Sequence, residues 1–148
     1  FSDARLLIFT NTKIYADRLT EVLNELGHPA HALHGDLRFY TRQMNLNSFK
    51  TGDVRILVAT DVASRGLDIK GVTHVINFDV TNTPDDYVHR IGRTGRAGES
   101  GIAITLVASD KPVEKKRLSE IESMVGSRLP KFNKKLLKRA SEETPILP

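Results

Sequence analysis

The 148-residue sequence predicts an α/β domain, a mainly parallel sheet of five or more strands with helices on both faces. Three observations point there. Five short runs rich in β-branched residues, RLLIFT (5–10), AHAL (30–33), VRILVAT (54–60), THVINF (73–78) and GIAITLV (101–107), are apolar without alternation. Strands covered on both faces read this way. Segments of helical periodicity lie between them, and that alternation builds parallel sheets. Polar, glycine-rich clusters follow the runs, at the strand ends where open α/β sheets collect ligands.

The elements can be justified in order. RLLIFT passes through TNTK into IYADRLTEVLNELG, where Ile14, Leu19, Val22, Leu23 and Leu26 are expected near one face and Gly27 ends the helix. AHAL leads through HGD (34–36) into TRQMNLNSFKTG, which repeats the arrangement with Met44, Leu46 and Phe49 and stops near Gly52. VRILVAT runs into TDVASRGLDI. After THVINF, the stretch TPDDYVHRIG offers Thr83 as N-cap, Pro84 at the first helical position and Asp86 three residues after the cap. GIAITLV is followed by KPVEKKRLSEIESMVG, a final amphipathic helix ending near Gly126. From about residue 127 the pattern weakens: KFNKKLLKRA reads as one short basic helix and SEETPILP as a loose end. The expected division is a lobe over 1–126 and a basic C-terminal extension over 127–148.

A hydrophobic content of 39% suits one domain with a sizeable core. No apolar run approaches the roughly 18 residues of a bilayer span, and no signal-peptide pattern opens the chain. The expectation is an intracellular protein that is not secreted and has no membrane partner. With no cysteine, disulfides and cysteine-ligated metals are excluded. His28, His31, His34, His74 and His89 show no H-x-x-x-H or H-E-x-x-H spacing, so no metal site is expected. The net charge of +4 is uneven: residues 111–148 carry 10 Lys/Arg against 5 Asp/Glu, while residues 1–110 carry 12 against 13. Such a tail either seeks a polyanion or is a solvated face.

The stretch HRIGRTGRAG sets arginines at 90, 93 and 96 and glycines at 92, 95 and 98. Arginine's planar fork suits phosphate, and glycine allows close approach or a sharp turn. Yet no G-x-x-x-x-G-K-[ST] loop exists in the chain to cradle a polyphosphate. The arginines therefore await a phosphate held elsewhere.

Taken together, IFTNT (8–12), HGD (34–36), ATDVASRGLDI (59–69), VINFD (75–79) and HRIGRTGRAG resemble, in order and spacing, the motif series of the second RecA-like lobe of DEAD-box ATP-dependent RNA helicases. The match runs from about residue 5 to 125. The resemblance implies a three-layer RecA-like fold and a lobe that is inactive alone, closing over ATP and Mg²⁺ held mainly by an N-terminal P-loop lobe. It puts Arg93 and Arg96 at the γ-phosphate, with Arg96 as the finger. It gives His89 and Arg90 a relay from RNA binding to hydrolysis, the alternative being a helical pair with structural partners. Gly66 and Asp68 match nucleotide-binding positions, Asp68 at the ribose or else as a turn residue.

The same resemblance assigns RNA sugar–phosphate contacts to Thr12, Gly35, Asp36, Arg42, Thr60 and Arg65, with Asn11 and Lys13 beside them. Such contacts grip without reading sequence. The carboxylates of Asp36 and Asp61 fit a polyanion site only if they orient neighbouring donors or accept 2′-hydroxyls. Phe39 departs from the family, which usually carries Q-x-x-R where this chain has FYTR; the ring either packs or touches a ribose face. DNA-directed and processive relatives of the superfamily usually start the last motif with Q, so His89–Arg90 favours the DEAD-box branch. The rival reading is a stand-alone RNA or protein adaptor, although a start at Phe1, close before a core strand, reads as an excised piece. Expected partners are RNA, the P-loop lobe of the same chain and a protein regulator, in the cytoplasm, nucleus or nucleolus.

Overall fold

The computed structural model describes residues 3–96 and 98–132. Its elements alternate as β1 (Leu6–Thr10), α1 (Lys13–Glu25), β2 (Ala30–Leu33), α2 (Phe39–Thr51), β3 (Ile56–Thr60), α3 (Asp61–Ser64), β4 (His74–Asn77), α4 (Pro84–Ile91), β5 (Ile102–Thr105) and α5 (Pro112–Val125). The strands form a five-stranded sheet in the order β2-β3-β1-β4-β5, and every neighbouring pair is parallel. From β1 the chain passes to the edge as β2, returns inward as β3 between β2 and β1, and then crosses to the other side of β1 for β4 and β5. Strand order thus reverses at β1, and the carboxyl ends of β3, β1 and β4 border the place where such sheets take ligands.

Period-two alternation divides the apolar residues between two layers. Leu7, Phe9, Leu33, Leu57, Ala59 and Val75 share one layer with Leu46 and Phe49 of α2, joined by Ile69 and Val72 from the β3–β4 connection. Leu6, Ile8, Ile56, Val58 and Ile76 share the other with Ala16, Leu19 and Leu23 of α1. A third cluster lies beyond β4 and β5, where Val80 meets Tyr87 of α4 and Ile121 of α5, with Leu129 packed against it. The first residues past the expected boundary at 126 thus rest on the lobe. KFNKKLLKRA from Asn133 onward and SEETPILP lie outside the described residues.

The helix ends follow the sequence. Thr12 caps α1 by accepting from the Tyr15 N–H, and Thr83 caps α4 by accepting from the Asp86 N–H at 3.2 Å. Helices α2 and α5 stop at Gly52 and Gly126 as expected. Two expectations need correction. On α1 the covered face is Ala16, Leu19 and Leu23, whereas Ile14, Val22 and Leu26 are 68%, 47% and 67% exposed. At roughly 100° per residue, a helix lying on a sheet covers one arc, and Ile14 falls half a turn from it. Met44 of α2 is likewise exposed. The run at 101–107 is not buried on both faces: β5 is an edge strand, and Ile102 is half exposed.

One close approach fixes the loop before β5. A Cβ at Gly101 would collide with Thr94 Oγ1 and sit 2.5 Å from the Gly95 nitrogen. Thr94 is itself held by donating to the Val72 carbonyl at 2.6 Å. Gly101→Ala should therefore cost roughly 1–3 kcal/mol through overpacking, read as a lower urea midpoint at unchanged m. Gly35→Ala, where a Cβ meets nothing within 4 Å, is the control expected to shift little.

Candidate functional site

Arg90 lies in the last turn of α4 with its side chain 1% exposed, and it ties together three strand ends. Its Nε and Nη2 grip the two oxygens of Asp61, which follows β3, at 2.7 and 2.8 Å. Nη2 also donates to Asn11 Oδ1 after β1 at 2.7 Å, and Nη1 donates to the Asp79 carbonyl at 3.1 Å and to Asn77 Oδ1 at 3.4 Å. The Phe9 ring lies beneath, 5.2 Å from the guanidinium carbon. Every N–H of the fork thus has a partner. Asn11 is engaged on the same hub: its backbone N–H donates to Asp79 Oδ2 and its Nδ2 to the Val80 carbonyl. In this arrangement the Arg90 guanidinium is wholly engaged by groups of the lobe itself, as the structural alternative for that residue expects, whereas Asn11 is tied to the same hub but stays partly exposed.

Beside this hub opens a cleft of about 550 Å³ that gathers Gly66, Asp68, His89, Arg93 and Arg96. The arginine spacing of three hides three environments. Arg93 donates to the Ser64 carbonyl at 2.9 Å and to the Leu67 carbonyl, holding the turn that carries Gly66. Burial, and then the nearby Arg96 guanidinium, lower Arg93 from the ordinary arginine value, with Asp68 opposing. Arg96 is 54% exposed at its side chain, donates from Nε to the Gly92 carbonyl and faces Asp68 at 3.7 Å. Gly92 has an ordinary helical φ of −65, whereas Gly95 and Gly98 take φ of 66 and 83. Those two left-handed turns, which glycine adopts without penalty, double the loop back and bring Arg96 to the rim. The His89 side chain is exposed on α4 and makes no hydrogen bond or ion pair among the described residues.

Along the same sheet edge the cations are set by acids. Lys13 after β1 pairs with Asp36 after β2 at 2.8 Å, and Arg65 reaches Asp86 of α4 at 3.5 Å. The puzzling carboxylates thus orient neighbouring donors: Asp36 aims Lys13, and Asp61 aims Arg90. The Lys13 hydrogen bond and charge hold the Asp36 carboxyl below its usual value of 3.8, against a smaller opposing effect of desolvation. Because the folded value is depressed, the pairing is complete above the ordinary carboxylate range and is lost as pH falls through the lowered value. Lys13→Ala should therefore move the Asp36 titration back up toward 3.8, as followed by carboxyl chemical shifts.

Of the remaining expected contacts, Gly35 is exposed in its turn and Thr12 gives its hydroxyl to the α1 cap. Thr60 is 9% exposed at the end of β3. Arg42 is half-buried on α2.

The family described as "Helicase conserved C-terminal domain" matches residues 2–98. The chain belongs to that family. Its branch is DEAD-box. It is 48% identical over 131 residues to the ATP-dependent RNA helicase dbp2 of Sclerotinia sclerotiorum, covering 86% of this chain and 23% of that protein. The E. coli DEAD-box protein SrmB, solved bound to regulator of ribonuclease activity A, matches with a TM-score of 0.81 at 34% identity, over 90% of this chain and 78% of that one. S. cerevisiae Dbp5, solved bound to RNA and ADP BeF3, matches with a TM-score of 0.78 at 32% identity, over 95% of this chain and 38% of that one. The DEAD-box lobe therefore has the RecA-like fold expected for it, and it spans about a quarter of the length of a relative such as dbp2.

In this helicase lobe the motif residues divide into a buried hub and an open rim. Sequence reasoning missed the hub's other members. Asn77 is 0% exposed and Asp79 supplies both a carbonyl and a carboxylate oxygen. A signal was available in VINFD, where polar residues stand at the end of an apolar strand. Burial there demands a partner, but nothing local names Arg90 as that partner.

Proposed function

We propose that this lobe is half of an ATP-dependent RNA helicase and that it closes over ATP held by a P-loop lobe. The carrying observation is Arg96, a half-exposed guanidinium on a glycine-turned rim, 3.7 Å from Asp68 at the cleft, in a sequence with no G-x-x-x-x-G-K-[ST] loop. In the closed state Arg96 leaves Asp68 and reaches the γ-phosphate, where a fixed positive charge stabilises the charge spreading over the transferring group. Arg93 braces the Ser64–Leu67 turn and adds positive potential. Asp68, freed from Arg96, together with Gly66 faces the ribose, and exposed His89 meets the partner lobe. Bound Mg²⁺ supplies further charge neutralisation at the phosphates. Among the described residues no group of three or more His, Cys, Asp or Glu converges to hold a metal, and the P-loop lobe would hold that ion.

RNA lies along the edge carrying Asn11, Thr12, Lys13, Gly35, Asp36, Arg42, Thr60 and Arg65, gripped through its backbone. The names of the relatives support ATP and RNA as ligands, and the Dbp5 and SrmB structures support an RNA partner and a protein regulator. Residues 127–148 form a basic extension that adds salt-dependent RNA contact. ATP and RNA place the enzyme inside the cell, in cytoplasm or nucleus.

The test joins this chain to a P-loop lobe and compares RNA-stimulated ATP turnover of the unchanged enzyme with Arg96→Ala. A collapse with RNA still bound supports the finger. Unchanged turnover would return the arginines to structure and favour an adaptor.

A further inference from the structure

Two aromatic rings stand exposed in succession on the first turn of α2, Phe39 at 70% and Tyr40 at 73%. Met44, one turn further on, is also exposed. Isolated apolar residues on a surface need no account, but two adjacent aromatic rings with a third apolar side chain one turn on invite one. The surroundings select what covers it. Helix α2, FYTRQMNLNSFKT, contains no acidic residue. Arg38 just before it and Arg42 one turn in make no ion pair or side-chain hydrogen bond among the described residues, and the Arg42 Nε is buried without a partner. The nearest acid in sequence, Asp36, is paired with Lys13 at 2.8 Å. Elsewhere on this rim Arg65 and Arg96 each face a carboxylate. This corner differs in combining uncommitted guanidiniums with open aromatic faces, directly beyond the Gly35–Asp36 turn.

Rings that stack on bases, beside arginines that take phosphates, fit single-stranded nucleic acid. A protein partner fits less well. The apolar surface gives way to exposed Asn47 and Lys50 within two turns, whereas a stable protein interface needs roughly 800 Å² from each side. We propose that Phe39 and Tyr40 form a nucleobase-stacking platform that extends the RNA path past Asp36 along α2, with Arg38 and Arg42 on the adjoining phosphates. The proposal rests on the RNA-binding reading above. It gives a base-dependent component to a grip that is otherwise blind to bases.

The experiment measures binding of the enzyme formed by this chain and a P-loop lobe, with a non-hydrolysable ATP analogue present, to a single-stranded RNA of about ten nucleotides, a length suited to one such path, and to an abasic strand of equal length. A 2-aminopurine in the RNA reports stacking by quenching. Phe39→Gln and Tyr40→Ala should each weaken the base-bearing strand about five-fold or more and abolish the quench. The abasic affinity should hold, and because both side chains are exposed the fold should be unaffected by circular dichroism. Lys13→Ala should weaken both strands together. Retained quenching and an unchanged ratio of base-bearing to abasic affinity, with RNA still bound, would overturn the platform and assign the rings to a protein partner. Failure of the unchanged enzyme to bind either strand would instead remove the RNA reading, and the platform with it.

Discussion

Arg96→Ala, in the enzyme formed with a P-loop lobe, is expected to slow ATP turnover by about 10³-fold or more with RNA affinity retained. An arginine finger contributes roughly 4–7 kcal/mol to the barrier, far more than the group can be doing in the open lobe. There its partner Asp68 lies 3.7 Å away, and both side chains are more than half exposed. Such a pair is worth roughly 0–1 kcal/mol, so the guanidinium can leave it for phosphate at little cost. Arg96→Lys keeps the charge without the fork and should recover only part of the rate. Arg93→Ala should behave differently, because it also releases the Ser64 and Leu67 carbonyls. Its loss of rate should come with a lower unfolding midpoint, whereas that of Arg96→Ala should not. Single-turnover hydrolysis paired with urea unfolding separates the two.

Arg90→Ala should destabilise the lobe by about 3–5 kcal/mol, the usual result of removing one partner of a buried ion pair. Asp61 would keep its charge with neither of its two arginine bonds, and Asn11, Asn77 and the Asp79 carbonyl would each lose a donor. Against a total stability of roughly 5–15 kcal/mol, this is the most damaging single change expected in the lobe. Arg90→Lys should rescue little, because an ammonium cannot span Asp61 and Asn11 with a fixed planar fork. Urea midpoints should fall for both variants. If Arg90→Ala unfolds at nearly the wild-type midpoint, the hub does not hold the strand ends together. Asp61→Asn offers a milder comparison, since it removes the charge while keeping the shape.

Much of the architecture was legible because its causes are local. Unbroken apolar runs, Thr12 and Thr83 as caps and glycines at helix ends each act within a few residues, and the strands fell where those signals put them. The face of α1 was less legible. Ile14, Val22 and Leu26 satisfy a helical period but lie outside the arc that meets β1 and β3, and only the position of the sheet selects that arc. The exposure of β5 was hidden for a similar reason: the sequence of a strand does not say whether it will lie at the edge.

The candidate site shows the same boundary. The run HRIGRTGRAG, with four other motifs, identified the family and marked the arginines as candidates for phosphate. Residue type and spacing along the chain are sufficient for that. By themselves they do not distinguish Arg90, Arg93 and Arg96, which repeat at equal intervals; only the family resemblance set Arg90 apart. What separates them is distance to groups from elsewhere in the chain: Asp61 lies 29 residues from Arg90 and Asn11 lies 79. Such pairings form only after β1, β3 and β4 align and bring their carboxyl ends together. Tertiary structure thereby places Arg90 at 1% exposure within a closed hub and leaves Arg96 at 54% on the rim. Chemical capacity was written in the order of residues, and its division into a buried tie and an exposed guanidinium came from burial.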